Sequence, residues 1–177
     1  MTLLPLFCGL MLSAPPPQLL SDPAEEASTP HVEASGLVSW DAMTEHGQAV
    51  RHVQLGKKIK TLRPPQGEAP MRGLGWTKGG KKPLVHVLHE GRWSLQVGGK
   101  EPASPSAASD LMAAVSPDRQ WVAFVSGRSG KGDLYVTRAD QTNQPPKRVA
   151  TSALPDLAPA WSPDGDSMAF LRVTEQG

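Results

Sequence analysis

The side chains able to do chemistry in this 177-residue chain are two aspartates in matching turns, five histidines, a glycine-rich loop and two small lysine groups. Asp118 and Asp164 each follow a Ser-Pro pair, in Ser116-Pro117-Asp118 and Ser162-Pro163-Asp164-Gly165. A turn carboxylate suits a hard cation such as calcium, but such a site needs several further oxygen ligands that neither stretch supplies. An Asx-type cap, in which the carboxylate accepts a backbone amide just ahead, accounts for both aspartates, so no metal or other cofactor is expected. His86 and His89 stand three apart on an expected strand, project to opposite faces and cannot chelate one metal, which leaves surface or between-sheet polar roles. The loop from Gly127 to Asp133 looks like a phosphate cradle, yet Gly130-Lys131 is followed by Gly132 rather than Ser or Thr, and no helix follows. Ser129 is not in a nucleophile elbow, because Lys131 occupies its fifth position, and no plausible Ser-His-Asp order is present. That loop therefore reads as a mobile strand connection, and the chain as one without catalytic residues. Lys57, Lys58 and Lys60, with Lys78, Lys81 and Lys82, form basic clusters that solvated turns explain. The one cysteine, Cys8, rules out an intramolecular disulfide and a multi-cysteine zinc site.

A repeated hairpin must position these residues. From Ala158 to Val173, two apolar runs flank the Ser162-Pro163-Asp164-Gly165 turn, in which Pro163 presets φ, Asp164 caps, and Gly165 supplies the positive φ of a bulged exit. Shifted back by 46 positions, Ser116-Pro117-Asp118 falls on Ser162-Pro163-Asp164, Ala123 on Ala169 and Phe124 on Phe170, without a gap. A weaker copy 39 positions earlier has Trp76-Thr77-Lys78-Gly79-Gly80 ahead of an apolar run, and it makes Trp76, Val115 and Trp161 equivalent. These offsets bracket the roughly 40 to 45 residues of a four-stranded propeller blade. The aligned copies resemble the WD-like repeats of TolB-type β-propellers, in which an aromatic-Ser-Pro-Asp-Gly turn precedes a short apolar strand and then a Leu-Tyr-Val strand. Here the last of these is Asp133 to Arg138, with Tyr135 at its centre. The resemblance covers residues 36 to 177 and implies an all-β propeller of four-stranded antiparallel blades, with Phe124 and Phe170 in the core.

In chain order, residues 1–14 form an apolar run too short to span a bilayer but suited to a signal-peptide core, with Ser13 and Ala14 at its end. No Lys or Arg stands in the first twenty residues, so the basic n-region is missing. Residues 15–35, rich in Pro, Ala and Glu, bury too little apolar surface to offset ordering and read as a disordered tether. The first blade is expected to use residues 37–40, 50–55 and 59–63, without a clear first strand. Residues 71–109 form a second blade with a poor fourth strand, residues 110–151 a complete third, and residues 157–173 two strands of a fourth. Trp121, Ala123 and Val125 alternate with Val122 and Phe124, so this strand is apolar on both faces and needs cover on both sides.

The TolB resemblance implies an exported binding module, periplasmic or secreted, that engages a protein or peptide and carries no enzymatic activity. TolB-type proteins act with a peptidoglycan-associated lipoprotein and carry an additional α/β domain before the propeller. The alternative is the gating propeller of a prolyl-oligopeptidase-like serine peptidase lacking its catalytic domain. With 18 basic and 17 acidic residues, the chain has no global field to attract nucleic acid, and no integral membrane span is expected. About three blades are fewer than a ring needs. The chain is thus expected to be a piece of a longer propeller, or a half-ring that completes itself by self-association.

Overall fold

The computed structural model describes residues 26–32, 37–44, 47–54, 60–62, 71–80, 82–98, 101–102, 105–141, 144–150 and 152–175. The signal-like run, Cys8, Lys57, Lys58 and Lys81 lie outside them. The first antiparallel sheet contains β1 (Glu26–Val32), β2 (Leu37–Thr44), β3 (Gly47–Gln54) and β4 (Lys60–Leu62). The second contains β5 (Met71–Trp76), β6 (Pro83–His89), β7 (Arg92–Val97) and β8 (Glu101–Pro102). The third contains β9 (Asp110–Val115), β10 (Trp121–Ser126), β11 (Asp133–Arg138) and β12 (Lys147–Arg148), and a last pair contains β13 (Asp156–Trp161) and β14 (Met168–Arg172). Each strand lies beside the next in sequence, and the first strands of successive sheets lie against one another, β5 by β9 and β9 by β13. This is a β-propeller whose ring the described strands do not close.

Local chemistry accounts for most strand ends. Glu90 and Gly91, both at positive φ, make the two-residue hairpin between β6 and β7, a turn whose twist matches the flanking strands. In the two Ser-Pro-Asp turns, Ser116 Oγ donates to Asp118 (2.6 Å) and accepts the Trp121 amide (3.0 Å), while Ser162 Oγ donates to Asp164 (2.5 Å) and accepts the Ser167 amide (2.9 Å). Thr77 Oγ1 accepts the Lys82 amide in the same way (3.1 Å) where no aspartate is present. The hydroxyl is therefore the group common to all three turns. Arg119 takes the positive φ of 58° at the position equivalent to Gly165, where φ is 79°.

Every first strand carries a bulge. Residues 29 and 30 oppose Trp40, Met112 and Ala113 oppose Phe124, and Ala158 and Pro159 oppose Phe170. Pro30 and Pro159 fit there because a bulge leaves a ladder donor unneeded. This corrects the tether reading for Glu26–Val32: β1 supplies the missing first strand, paired antiparallel with β2.

The main core lies between the second and third sheets, where Leu84, Leu95 and Val97 pack on Val122, Phe124, Tyr135 and Ala139. Phe124 is fully buried and its ring stacks on Tyr135 at 6.0 Å. On the other face of β10, Ala123 and Val125 are also buried, and β13 lies against that strand and β11. Behind this core, buried aspartates start the strands at one end of the sheets. Asp110 pairs with Arg128 (2.8 Å), Asp133 with Arg148 (2.6 Å) and Asp156 with Arg172 (2.7 Å). Arg128 also lies over the rings of Phe124 and Tyr135, and Arg172 over Phe170.

Phe170 departs from the expected core position, since it is 36% exposed. Its strand, β14, has no described third strand beside it, so nothing stands where Tyr135 covers Phe124. Phe124→Ala should therefore cost about 3–5 kcal/mol, whereas Phe170→Ala should cost about 1 kcal/mol. Urea melts of both variants test this contrast, and equal losses would contradict the assigned exposure.

Candidate functional site

The bulges of β5 and β9 open a cleft of ≈ 400 Å³ between the second and third sheets, toward the end where the buried aspartates begin their strands. Its lining includes Arg72 and Leu74 on β5, His86 on β6, Trp93 on β7, and Leu111 and Met112 on β9. Register explains the grouping. Arg72 pairs with His86, which pairs with Leu95, so their side chains share the face that looks toward the third sheet. Trp93, two residues before Leu95, shares that face and brings its ring to 6.3 Å from the imidazole of His86. The Arg72 guanidinium sits over the Trp93 ring at 5.4 Å.

Met112 has a positive φ of 50°, which in a non-glycine residue signals strain. Ala158 has nearly the same angle at the equivalent position of the next sheet, so the strain belongs to the repeated bulge and not to the cleft. Its local consequence is that Leu111 and Met112 stay exposed along the rim.

His86 is 7% exposed and its Nε2 has no hydrogen-bond partner among the described residues. Burial, reinforced by the neighbouring Arg72 cation, pulls its pKa down to about 4, so the ring is neutral near neutral pH. The cleft thus combines one exposed cation, one neutral imidazole and apolar walls. Such a set can bind and orient a polar group, and among the described lining residues none is a nucleophile beside the histidine.

A second depression of ≈ 250 Å³ lies at the opposite, Ser-Pro-Asp end of the same two sheets, lined in part by Lys78, Lys82, Arg119 and Arg138. Lys78 and Lys82 belong to one of the basic clusters seen in the sequence. Arg138 already forks onto Asp140 (3.0 and 3.3 Å) and lies over Trp121, so part of this charge is engaged.

The repeat residues fall at structural positions. Trp76, Val115 and Trp161 end β5, β9 and β13, and Trp161 Nε1 donates to the Ala114 carbonyl of the preceding sheet (3.0 Å). Asp118 and Asp164 accept the amides of Gln120 (3.0 Å) and Asp166 (3.1 Å), and hydrogen bonds from Ser116 and Ser162 hold their carboxyls below the usual range. Pro117 and Pro163 stand exposed beside them. The 127–133 loop, expected to be mobile, is tied down, with Arg128 on Asp110 and Ser129 on Asp133. Among the described residues, no group of three or more His, Cys, Asp or Glu side chains gathers as metal donors, and no helix is long and apolar enough to cross a membrane. Sequence reasoning passed over Arg72, Trp93 and Met112. A register drawn across the β5–β6–β7 meander would have paired Arg72 with His86, but the bulge and the intersheet packing were needed to bring in Met112.

Known structures share this architecture. The chain is similar to a protein assigned as TolB from Agrobacterium tumefaciens, at 21% identity and a TM-score of 0.61 over 78% of this chain and 50% of that one. It is similar to TolB from Acinetobacter baumannii at 14% identity and a TM-score of 0.56, over 78% of this chain and 36% of that one. A puromycin-hydrolyzing peptidase from Mycobacterium tuberculosis gives 16% identity and a TM-score of 0.55, over 84% of this chain and 28% of that one. At these identities the likeness is one of fold, and this chain spans half or less of each of the three proteins. No protein-family model and no curated protein matches the chain.

Because the folded state holds His86 neutral and the unfolded chain does not, protonation favours unfolding. Stability should be full above about pH 6.5 and fall by about 3 kcal/mol as the pH drops toward 4. Denaturant melts across that range should show this loss in the parent chain, and His86→Gln should remove most of it.

Proposed function

We propose that the chain is part of an exported, TolB-like β-propeller that binds a protein or peptide partner and catalyses no reaction. The observation that supports this reading most directly is the cleft, where the exposed Arg72 and the largely buried His86 lie beside apolar walls. The apolar run at residues 1–14 supports export, and the likeness to TolB supports the periplasm as the place of action. A second reading, the gating propeller of a prolyl-oligopeptidase-like peptidase, is favoured by the likeness to the mycobacterial peptidase. In that case the chemistry belongs to a separate α/β-hydrolase domain.

The two readings separate in one experiment. The purified chain is crosslinked in an envelope extract, the captured protein is identified and produced separately, and its binding is titrated; in parallel, chromogenic peptide substrates are offered. Saturable binding without turnover is the expected result, and turnover by the purified chain would overturn the proposal. An α/β-hydrolase domain found in the same reading frame would shift the assignment to the second reading.

Self-association is a further part of this proposal, because β14 has no third strand beside it among the described strands and Phe170 and Leu171 are exposed, the latter at 65%. A second copy placed there would extend the arc of blades. Light scattering should show concentration-dependent association that Leu171→Asp weakens. A well-folded monomer at high concentration would contradict it.

A further inference from the structure

Most arginines of the second and third sheets are engaged by an oxygen acceptor. Arg128, Arg138 and Arg148 each pair with an aspartate, as does Arg172 in the last sheet, and Arg92 donates to the Ser106 carbonyl. Arg72 has no carboxylate partner among the described residues and is exposed, held only over the face of Trp93. A guanidinium resting on an aromatic face keeps its N–H edge available for a planar acceptor, and the stacking reduces the freedom lost when it binds one. Beside it, the buried Nε2 of His86 has no hydrogen-bond partner among the described residues, which is uncommon for such atoms. Leaving a polar atom in this state is unfavourable, a deficit that a ligand atom reaching it would remove. As a neutral ring, His86 can donate from Nε2 to an oxygen near neutral pH.

Charge count limits the ligand. One guanidinium and one neutral donor match a single negative charge spread over two coplanar oxygens, whereas a doubly charged phosphate normally draws several cations or a run of backbone amides. The remaining walls are apolar, with Leu111 40% and Met112 51% exposed at the rim, so the group carrying the charge must have an apolar neighbour. A volume of ≈ 400 Å³ lies within the range of small-ligand sites.

We propose that this cleft captures a peptide carboxylate with an apolar side chain next to it, the carboxylate on Arg72 and His86 and the apolar group against Leu111 and Met112. The inference rests on the binding-module reading and deepens it. The carboxylate can come from a chain terminus or from an internal acidic residue, since both present the same planar anion.

Three probes test this on the purified chain: acetyl-Ala-Leu with a free carboxyl terminus, acetyl-Ala-Leu-amide, and acetyl-Glu-Leu-amide. Binding is followed at the Trp93 indole signal by NMR, with inorganic phosphate as a competitor. The free acid, the glutamyl amide or both should bind saturably at up to millimolar concentration, and which of them binds identifies the source. The neutral amide should not bind. Arg72→Gln should weaken binding about 10- to 100-fold, with Arg72→Lys intermediate because it keeps the charge and loses the fork. Since Arg72 is exposed and has no carboxylate partner among the described residues, the melting curve of Arg72→Gln should match the parent, which separates lost recognition from lost folding. Equal binding of the neutral amide, tighter binding of phosphate, or an unchanged affinity in Arg72→Gln would each overturn the proposal. If the probes fail while the crosslinked partner still binds and is retained by Arg72→Gln, the carboxylate cleft falls and the binding-module reading stands. If neither probes nor partner bind the folded chain, both fall.

Discussion

A strand that is apolar on both faces cannot be stable in a single sheet, and β10 is such a strand. Val122 and Phe124 point to one side and Ala123 and Val125 to the other, all buried. Each fully buried aliphatic or aromatic side chain contributes about 1.5–3 kcal/mol only if water is excluded from it. The second sheet covers one face and β13 lies on the other, so the third sheet owes its stability to its neighbours. The same dependence governs the ends of the arc. Where no further described strand lies beside β14, Phe170 and Leu171 remain open to solvent.

Stacked sheets also create low-dielectric space at their strand ends, and the chain fills it with charge in matched pairs. Asp110, Asp133 and Asp156 are buried at the starts of β9, β11 and β13, each answered by an arginine from its own sheet. Burial pushes the Asp110 carboxyl up, and hydrogen bonds from Ser126 and Arg128 oppose that rise. Buried pairs of this kind add little net stability but are costly to break. Arg128 and Arg172 use their flat faces as well, lying over Phe124 and Phe170, so one side chain joins the polar end of the sheets to the aromatic core.

Against that background the cleft between the second and third sheets is an exception in its chemistry. The bulges that let the first strands curve also leave a gap between them, and the side chains around the gap do not satisfy one another. Among the described residues, Arg72 is stacked on Trp93 without a carboxylate partner, and the buried Nε2 of His86 has no hydrogen-bond partner. These two groups lie where the structure also exposes the apolar side chains of Leu111 and Met112.

Local chemistry made much of this architecture legible in the sequence. The Ser-Pro-Asp turns, the Glu90-Gly91 hairpin and the alternation in β10 are set by residues within a few positions of one another, and the 46-residue offset exposes the repeat without knowledge of any contact. Strand limits such as Pro83–His89 and Asp133–Arg138 follow from those same short-range signals. Tertiary structure alone decided the rest. Glu26–Val32 becomes a strand because β2 offers it a ladder, which its own composition does not announce. Phe124 and Phe170 are equivalent in sequence yet differ in burial, because burial depends on what the neighbouring strand supplies. The pairing of Asp110 with Arg128, and the meeting of Arg72, His86, Trp93 and Met112, join residues from different turns and sheets. Such encounters depend on register, on bulges and on how one sheet packs on the next, and no pattern confined to a single stretch of chain encodes them.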